Sequence, residues 1–192
     1  MLTLDLFKIR NFGIGNLATF TVYAGLSLVT FLLVIFLQQT VGYTALNSGL
    51  SLLPVTILLF IISPIARKLS SKYGPRWFMA LGPIIAALGV YMIGKAATPH
   101  IEYWKQLFPA IMIFGVGLGS TVAPLTAAIL GAVEKSHSGI ASAINNAVSR
   151  IAGLLAVAII GVVSTFNLSM YITAALLLLG GIISAIGITN NK

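Results

Sequence analysis

The chain has 192 residues, of which 58% are hydrophobic and 7% charged, and it carries a net charge of +8. A water-soluble domain carries roughly 25% charged residues to cover its surface, so this composition excludes one and leaves lipid as the solvent. Its eleven Lys and Arg fall mostly in short gaps between apolar runs, which argues against a nucleic-acid partner, and the lack of Cys excludes disulfide, thiol and Cys-zinc chemistry.

Six apolar runs are each long enough to cross about 30 Å of hydrocarbon at about 1.5 Å per residue. After a lead-in over 1–12, they are placed near 13–37, 47–66, 76–94, 107–131, 139–163 and 168–188, in one domain covering 13–192. The first run is too long for a signal peptide, and no small-residue cleavage site follows it. The runs are continuously apolar rather than alternating, so a transmembrane barrel is excluded and the fold class is all-α.

The first run carries Asn16, Thr19, Tyr23, Ser27 and Thr30 at steps of three and four, one face of a helix. The second is intermediate, with Ser48, Ser51, Thr56 and Ser63, and the third and sixth have almost nothing polar at depth. The fourth holds Gly115, Gly117, Gly119, Ser120, Thr121 and Pro124, in a setting where small residues let helices approach closely. The fifth carries Ser142, Asn145, Asn146, Ser149, Arg150 and Gly153, while Ile140, Ile144, Val148, Ile151 and Leu155 form a face suited to lipid. Pro54, Pro64, Pro83 and Pro124 are expected to kink their helices. Runs one and four therefore read as central, two and five as flanking, three and six as outer. This period of three, with Ser48-Gly49-Leu50-Ser51 and Ser138-Gly139-Ile140-Ala141 opening equivalent runs from opposite sides, predicts two inverted three-helix repeats.

Orientation follows from the cations. With the N-terminus inside, Lys8, Arg10, Arg67, Lys68, Lys72, Arg76, Lys135 and Lys192 are cytoplasmic and only Lys95 and Lys105 are outside, eight against two with Arg150 intramembrane. The expectation is a multi-pass protein of the plasma membrane with both termini cytoplasmic.

Several stretches resemble the fourteen-helix drug:proton antiporter branch of the major facilitator superfamily. They are Leu4 to Phe12, Phe36-Leu37-Gln38-Gln39 with Gly42-Tyr43, Ser48-Gly49-Leu50 with Leu53-Pro54, Gly74-Pro75-Arg76, Gly115-x-Gly-x-Gly119 with Pro124-Leu125-Thr126, and Gly139 to Ser142 with Asn145-Asn146 and Arg150. Their order and spacing are similar to the last six helices of that branch. The resemblance implies one half of a major facilitator fold that transports small molecules, by drug or metabolite efflux, with a missing N-terminal half or a second copy as partner. The chain departs from the family's loop motif, which has Gly and Asp where Arg67 and Ser71 stand; the motif region here is Arg67, Lys68, Lys72, Gly74 and Arg76. The link from Ser164 to Asn167 is also shorter than is usual in the family.

The candidate substrate-cavity residues are Asn16, Thr19, Tyr23, Ser27, Thr121, Ser142, Asn145, Ser149 and Arg150. Arg150 lies about 16 Å along its helix from Gly139, where a charge facing lipid costs about 2.5–3.5 kcal/mol. It either anchors a polar or anionic substrate group, or snorkels and pairs with backbone carbonyls. Asn145 is assigned to the cavity and Asn146 to bridging between helices. The basic loop sets topology and meets anionic lipid. No acid or His lies within an apolar run, so no metal site, cofactor or proton-carrying carboxylate is expected, and Glu134, Lys135 and His137 without a third positioned group do not make an enzyme. The rival reading is a non-transporting membrane module, a decayed fragment or an interaction subunit.

Overall fold

The computed structural model describes residues 4–160 and 165–190. Its helices are α1 (Arg10–Gln39), α2 (Ala45–Ser51), α3 (Leu53–Tyr73), α4 (Arg76–Ala96), α5 (Phe108–Gly131), α6 (Ser138–Ile160) and α7 (Phe166–Gly187), with no strand among the described residues. The helices make six spans long and apolar enough to cross a membrane, α2 and α3 sharing one. The expected end of the fifth run at 163 and the start of the link at Ser164 lie outside the described residues, as does Lys192.

Local chemistry sets the ends. Thr44 caps α2, its hydroxyl accepting from the Asn47 amide at 3.2 Å. Gly74 closes α3 at φ +92°, a left-handed conformation that glycine adopts without strain, and Pro75 then starts the turn into α4. Pro54 does not kink a continuous helix. It falls where α2 ends at Ser51 and α3 restarts at Leu53. Pro64, Pro83 and Pro124 sit inside unbroken helices.

The pairing of helices shows the two repeats. Helix α3 packs on α5, α5 on α4, α4 on α7, α7 on α1 and α1 on α6, and α1 also meets α5. Exchanging α1 with α5, α3 with α6 and α4 with α7 maps this set of pairings onto itself. Three spans per repeat is an odd number, so the second repeat enters the membrane from the opposite side.

Burial within this bundle follows a different order from polarity at depth. The third and sixth runs, α4 and α7, are held on both sides, and 56% and 44% of their apolar windows are buried. The flanking helices are the exposed ones, at 17% for the α2–α3 span and 22% for α6. Helices α4 and α7 are apolar yet rich in small residues, so they close up against other backbones. A Cβ on Gly89 would sit 2.5 Å from the Phe114 nitrogen, and one on Gly181 2.7 Å from the Ala80 carbonyl oxygen.

Two cores result. One joins α1, α4, α5 and α7 around Leu33, Val90, Phe114 and Leu177. The other, at the end holding Arg10 and Arg76, joins Phe12, Met79, Ile129 and Ile144.

Candidate functional site

Helix α6 lies on α1, and a groove of about 710 Å³ opens along their seam. Tyr23 and Ser27 line it from α1, with Ser149, Arg150, Gly153 and Leu154 from α6. Gly153 sets the approach, since a Cβ there would lie 2.5 Å from the Ser27 hydroxyl. Arg150 is exposed in the groove, and the ion pairs among the described residues, Lys8–Asp5 and Lys105–Glu102, do not involve it. Ser149 donates to the Asn146 carbonyl at 2.9 Å, and Tyr23 is half-buried with no hydrogen bond from its hydroxyl among the described residues. A guanidinium, a phenol and two serine hydroxyls thus share one wet-sized groove in an apolar seam. Such a set can bind and orient a polar or anionic group, and it offers no nucleophile or acid–base pair.

Asn16, Thr19 and Asn145 have a different place. Asn145 donates to the Thr19 hydroxyl at 2.8 Å and to the Asn16 side-chain oxygen at 3.3 Å. Asn16 and Thr19 are 3% and 0% exposed, so this cluster bridges α1 to α6 beside the groove instead of lining it. Asn145, assigned to the cavity, bridges α1 and α6 here, while Asn146, assigned to bridging, is exposed outside the groove. Ile144 is also corrected, being 7% exposed and packed into the second core with Val148 against it. Ile151 and Leu155 do face outward. Ser142 is exposed outside the groove. Thr121 leaves the site altogether: it is buried, donates to the Gly117 carbonyl at 2.7 Å and packs on Gly82 of α4.

Asn145→Ala is expected to cost about 0.6–1.7 kcal/mol, between the average and the largest value measured for interhelical hydrogen bonds in a membrane bundle. Asn146→Ala should cost close to nothing. Unfolding titrations in mixed detergents distinguish the two.

The basic loop has divided roles. Arg67 and Lys68, with Ser63 and Ser71, line an open groove of about 500 Å³ on α3, while Lys72 is exposed. Arg76 turns the other way and donates through Nε to the Ala185 carbonyl at 2.7 Å. Arg10 donates to the Gly187 and Ile186 carbonyls at 2.8 and 3.1 Å, so two guanidinium groups cap the last carbonyls of α7. Asn11 pairs with the Thr189 backbone in both directions at 3.0 Å. This clasp of α1, α4 and the chain's last turn was not read from the sequence. The signal available was a polar residue at the first turn of two helices, which topology alone already explained.

Comparison with known proteins agrees with this architecture. The chain is similar to a multidrug export protein of Escherichia coli strain K12, 30% identical over 168 residues, covering 88% of this chain and 33% of that protein. It is similar to an uncharacterized transporter of Bacillus subtilis strain 168, 30% identical over 86% of this chain and 31% of that protein. A multidrug resistance protein of Mycobacterium tuberculosis strain H37Rv is 30% identical over 84% of this chain and 29% of its own length. The chain thus spans about a third of the length of these relatives. The model of the Major Facilitator Superfamily matches residues 16–191, nearly the whole six-helix domain, and the chain belongs to that superfamily.

Proposed function

We propose that these six helices form one half of an alternating-access transporter that exports small molecules, with the Tyr23–Arg150 groove as part of its substrate cavity. The observation that carries this reading is the groove itself: an exposed guanidinium, with no acid paired to it among the described residues, lies between helices that otherwise bury apolar surface. The exposure of the α3 and α6 faces supports it, since alternating access needs a second bundle to rock against this one. That bundle is the remaining part of a longer transporter or a second copy. The two drug-related relatives favour efflux of drug-like compounds. The charge bias supports a plasma-membrane protein with both termini and the Arg67–Arg76 loop in the cytoplasm.

The chain has no Cys, so single cysteines can be read in it directly. Ser149→Cys and Tyr23→Cys should react with a membrane-impermeant thiol reagent, while Leu178→Cys on the outer face of α7 should not. Thr40→Cys and Lys72→Cys should react from opposite sides of the membrane. An unreactive Ser149→Cys sinks the cavity reading, and labelling of both Thr40→Cys and Lys72→Cys from outside sinks the topology.

A further inference from the structure

The end of the bundle opposite the basic loop holds a second recess. Two walls meet there, and both leave regular helix geometry at the same level. On one side α2 ends at Ser51, Leu52 breaks the run, and α3 restarts with Pro54, which has no amide hydrogen to donate. On the other, Tyr103–Leu107 forms a π-helical turn before α5, in which the Phe108 amide reaches back to the Tyr103 carbonyl. Such turns are uncommon and concentrate at functional sites. The groove between the walls measures about 450 Å³, within the range of small-molecule sites.

Its lining is mixed aromatic and aliphatic with a polar edge: Tyr43, Asn47, Ser51, Tyr103, Trp104 and Phe108, with leucine, isoleucine and proline side chains of α2 and α3 completing it. Tyr103 and Trp104 stand edge to face, 5.2 Å apart at 83°, and Trp104 and Phe108 are 5.2 Å apart at 50°. The rings are therefore not stacked face to face on one another, and Trp104 is largely exposed. The Tyr103 hydroxyl donates to the Ser51 carbonyl at 3.1 Å, which ties the two walls together and fixes the ring before any ligand arrives. No charged side chain lines the groove, and the nearest acid, Glu102, is paired to Lys105 at 2.7 Å.

We infer that this recess is a second ligand site, separate from the Tyr23–Arg150 groove, for an uncharged planar aromatic molecule bearing hydrogen-bonding groups on its rim. Aromatic rings held at fixed angles to one another accept a flat π-system by offset or edge contact. The Asn47 side chain and the tyrosine hydroxyls meet rim donors and acceptors. The absence of a lining charge selects against ions, which would lose hydration without a partner. The two sites share no residue, so this one stands whether or not the Arg150 groove carries substrate.

The chain has two Trp, and Trp77 is at the other end of the bundle, so Trp77→Phe leaves Trp104 as a local reporter. Lumiflavin, uncharged and planar, is titrated into this variant in lipid nanodiscs. Saturable quenching of Trp104 is expected, with adamantanol failing to compete because it has no ring face. Tyr43→Leu should weaken the apparent affinity about tenfold. Tyr103→Leu should do the same, and Tyr43→Leu carries the test if Tyr103→Leu disturbs the fold. Linear quenching that neither substitution changes would overturn the proposal. So would quenching of Trp104 by brominated lipid that lumiflavin does not relieve, because the recess would then be an acyl-chain groove of the interfacial aromatic belt.

Discussion

Gly117→Val is expected to destabilise the folded bundle strongly, while Gly131→Val on the same helix leaves it close to wild-type stability. A Cβ on Gly117 would fall on the backbone of α4, against the Ala86 amide nitrogen and 2.6 Å from the Gly82 carbonyl oxygen. Backbone cannot swing aside as a side chain does, so the α4 and α5 axes must separate. Overpacking in a dense interior typically costs about 1–3 kcal/mol. Here the separation also disturbs the core around Phe114 and Leu118, which are fully buried, and pulls Thr121 off Gly82. The expected cost is above about 3 kcal/mol, a large share of the about 5–15 kcal/mol that holds a typical domain. A Cβ on Gly131 would meet nothing within 4 Å, which makes this position the internal control. Tryptophan-fluorescence melts in detergent measure both. Melting points within about 2 °C of each other would contradict this account of the α4–α5 seam, where about 1 kcal/mol moves a midpoint by about 2–4 °C in a protein of this size.

The second large effect is a null result in transport. These 192 residues alone, reconstituted in liposomes, should show no dye accumulation driven by an imposed pH gradient. Coupling by an intramembrane acid needs a carboxylate that takes up a proton within the bilayer. The chain has three acids. Asp5 is exposed and paired to Lys8 at 2.7 Å, Glu102 is exposed and paired to Lys105 at 2.7 Å, and Glu134 is exposed between α5 and α6. His100 and His137 lie in the same two connections as the last two acids. Tyr and Arg, with reference pKa values of about 10 and above about 12, hold their protons at neutral pH. Gradient-driven accumulation by this chain alone would reveal a proton carrier among groups given no such role here.

The spans were legible because the bilayer sets a length threshold, and each apolar run passed it with punctuation at Gly42, Gly74 and Pro75. The inverted repeat was legible from polarity at depth. The fine orientation of helices was not, for a physical reason. In lipid, a face turned to the core and a face turned to the acyl chains are equally apolar. The stripe Ile140, Ile144, Val148, Ile151 and Leu155 on α6 therefore looked like one surface. It divides instead, with Ile144 and Val148 against the core and Ile151 and Leu155 outward. The same ambiguity hid that Asn145, and not Asn146, is the one turned to α1. Adjacent residues point about 100° apart on a helix, and the sequence pattern did not show which side α1 occupies. Thr121 failed in another way. Its hydroxyl satisfied itself on the Gly117 carbonyl, which lets a polar residue sit in an apolar seam with no cavity nearby. Of the candidate site, Tyr23, Ser27, Ser149 and Arg150 are brought together, and these hold the exposed charge and three hydroxyl groups.

The central claim is that the Tyr23–Arg150 groove carries substrate once a second bundle is present. The chain can be fused behind the part of the Escherichia coli multidrug export protein that its match does not cover, in cells stripped of their own exporters. Dye efflux from these cells tests the claim most directly. The chimera is expected to restore efflux, and Arg150→Leu to lower it at least about tenfold at unchanged protein level, the loss of about 1.4 kcal/mol of binding. Efflux by the chimera that Arg150→Leu leaves unchanged would contradict the claim.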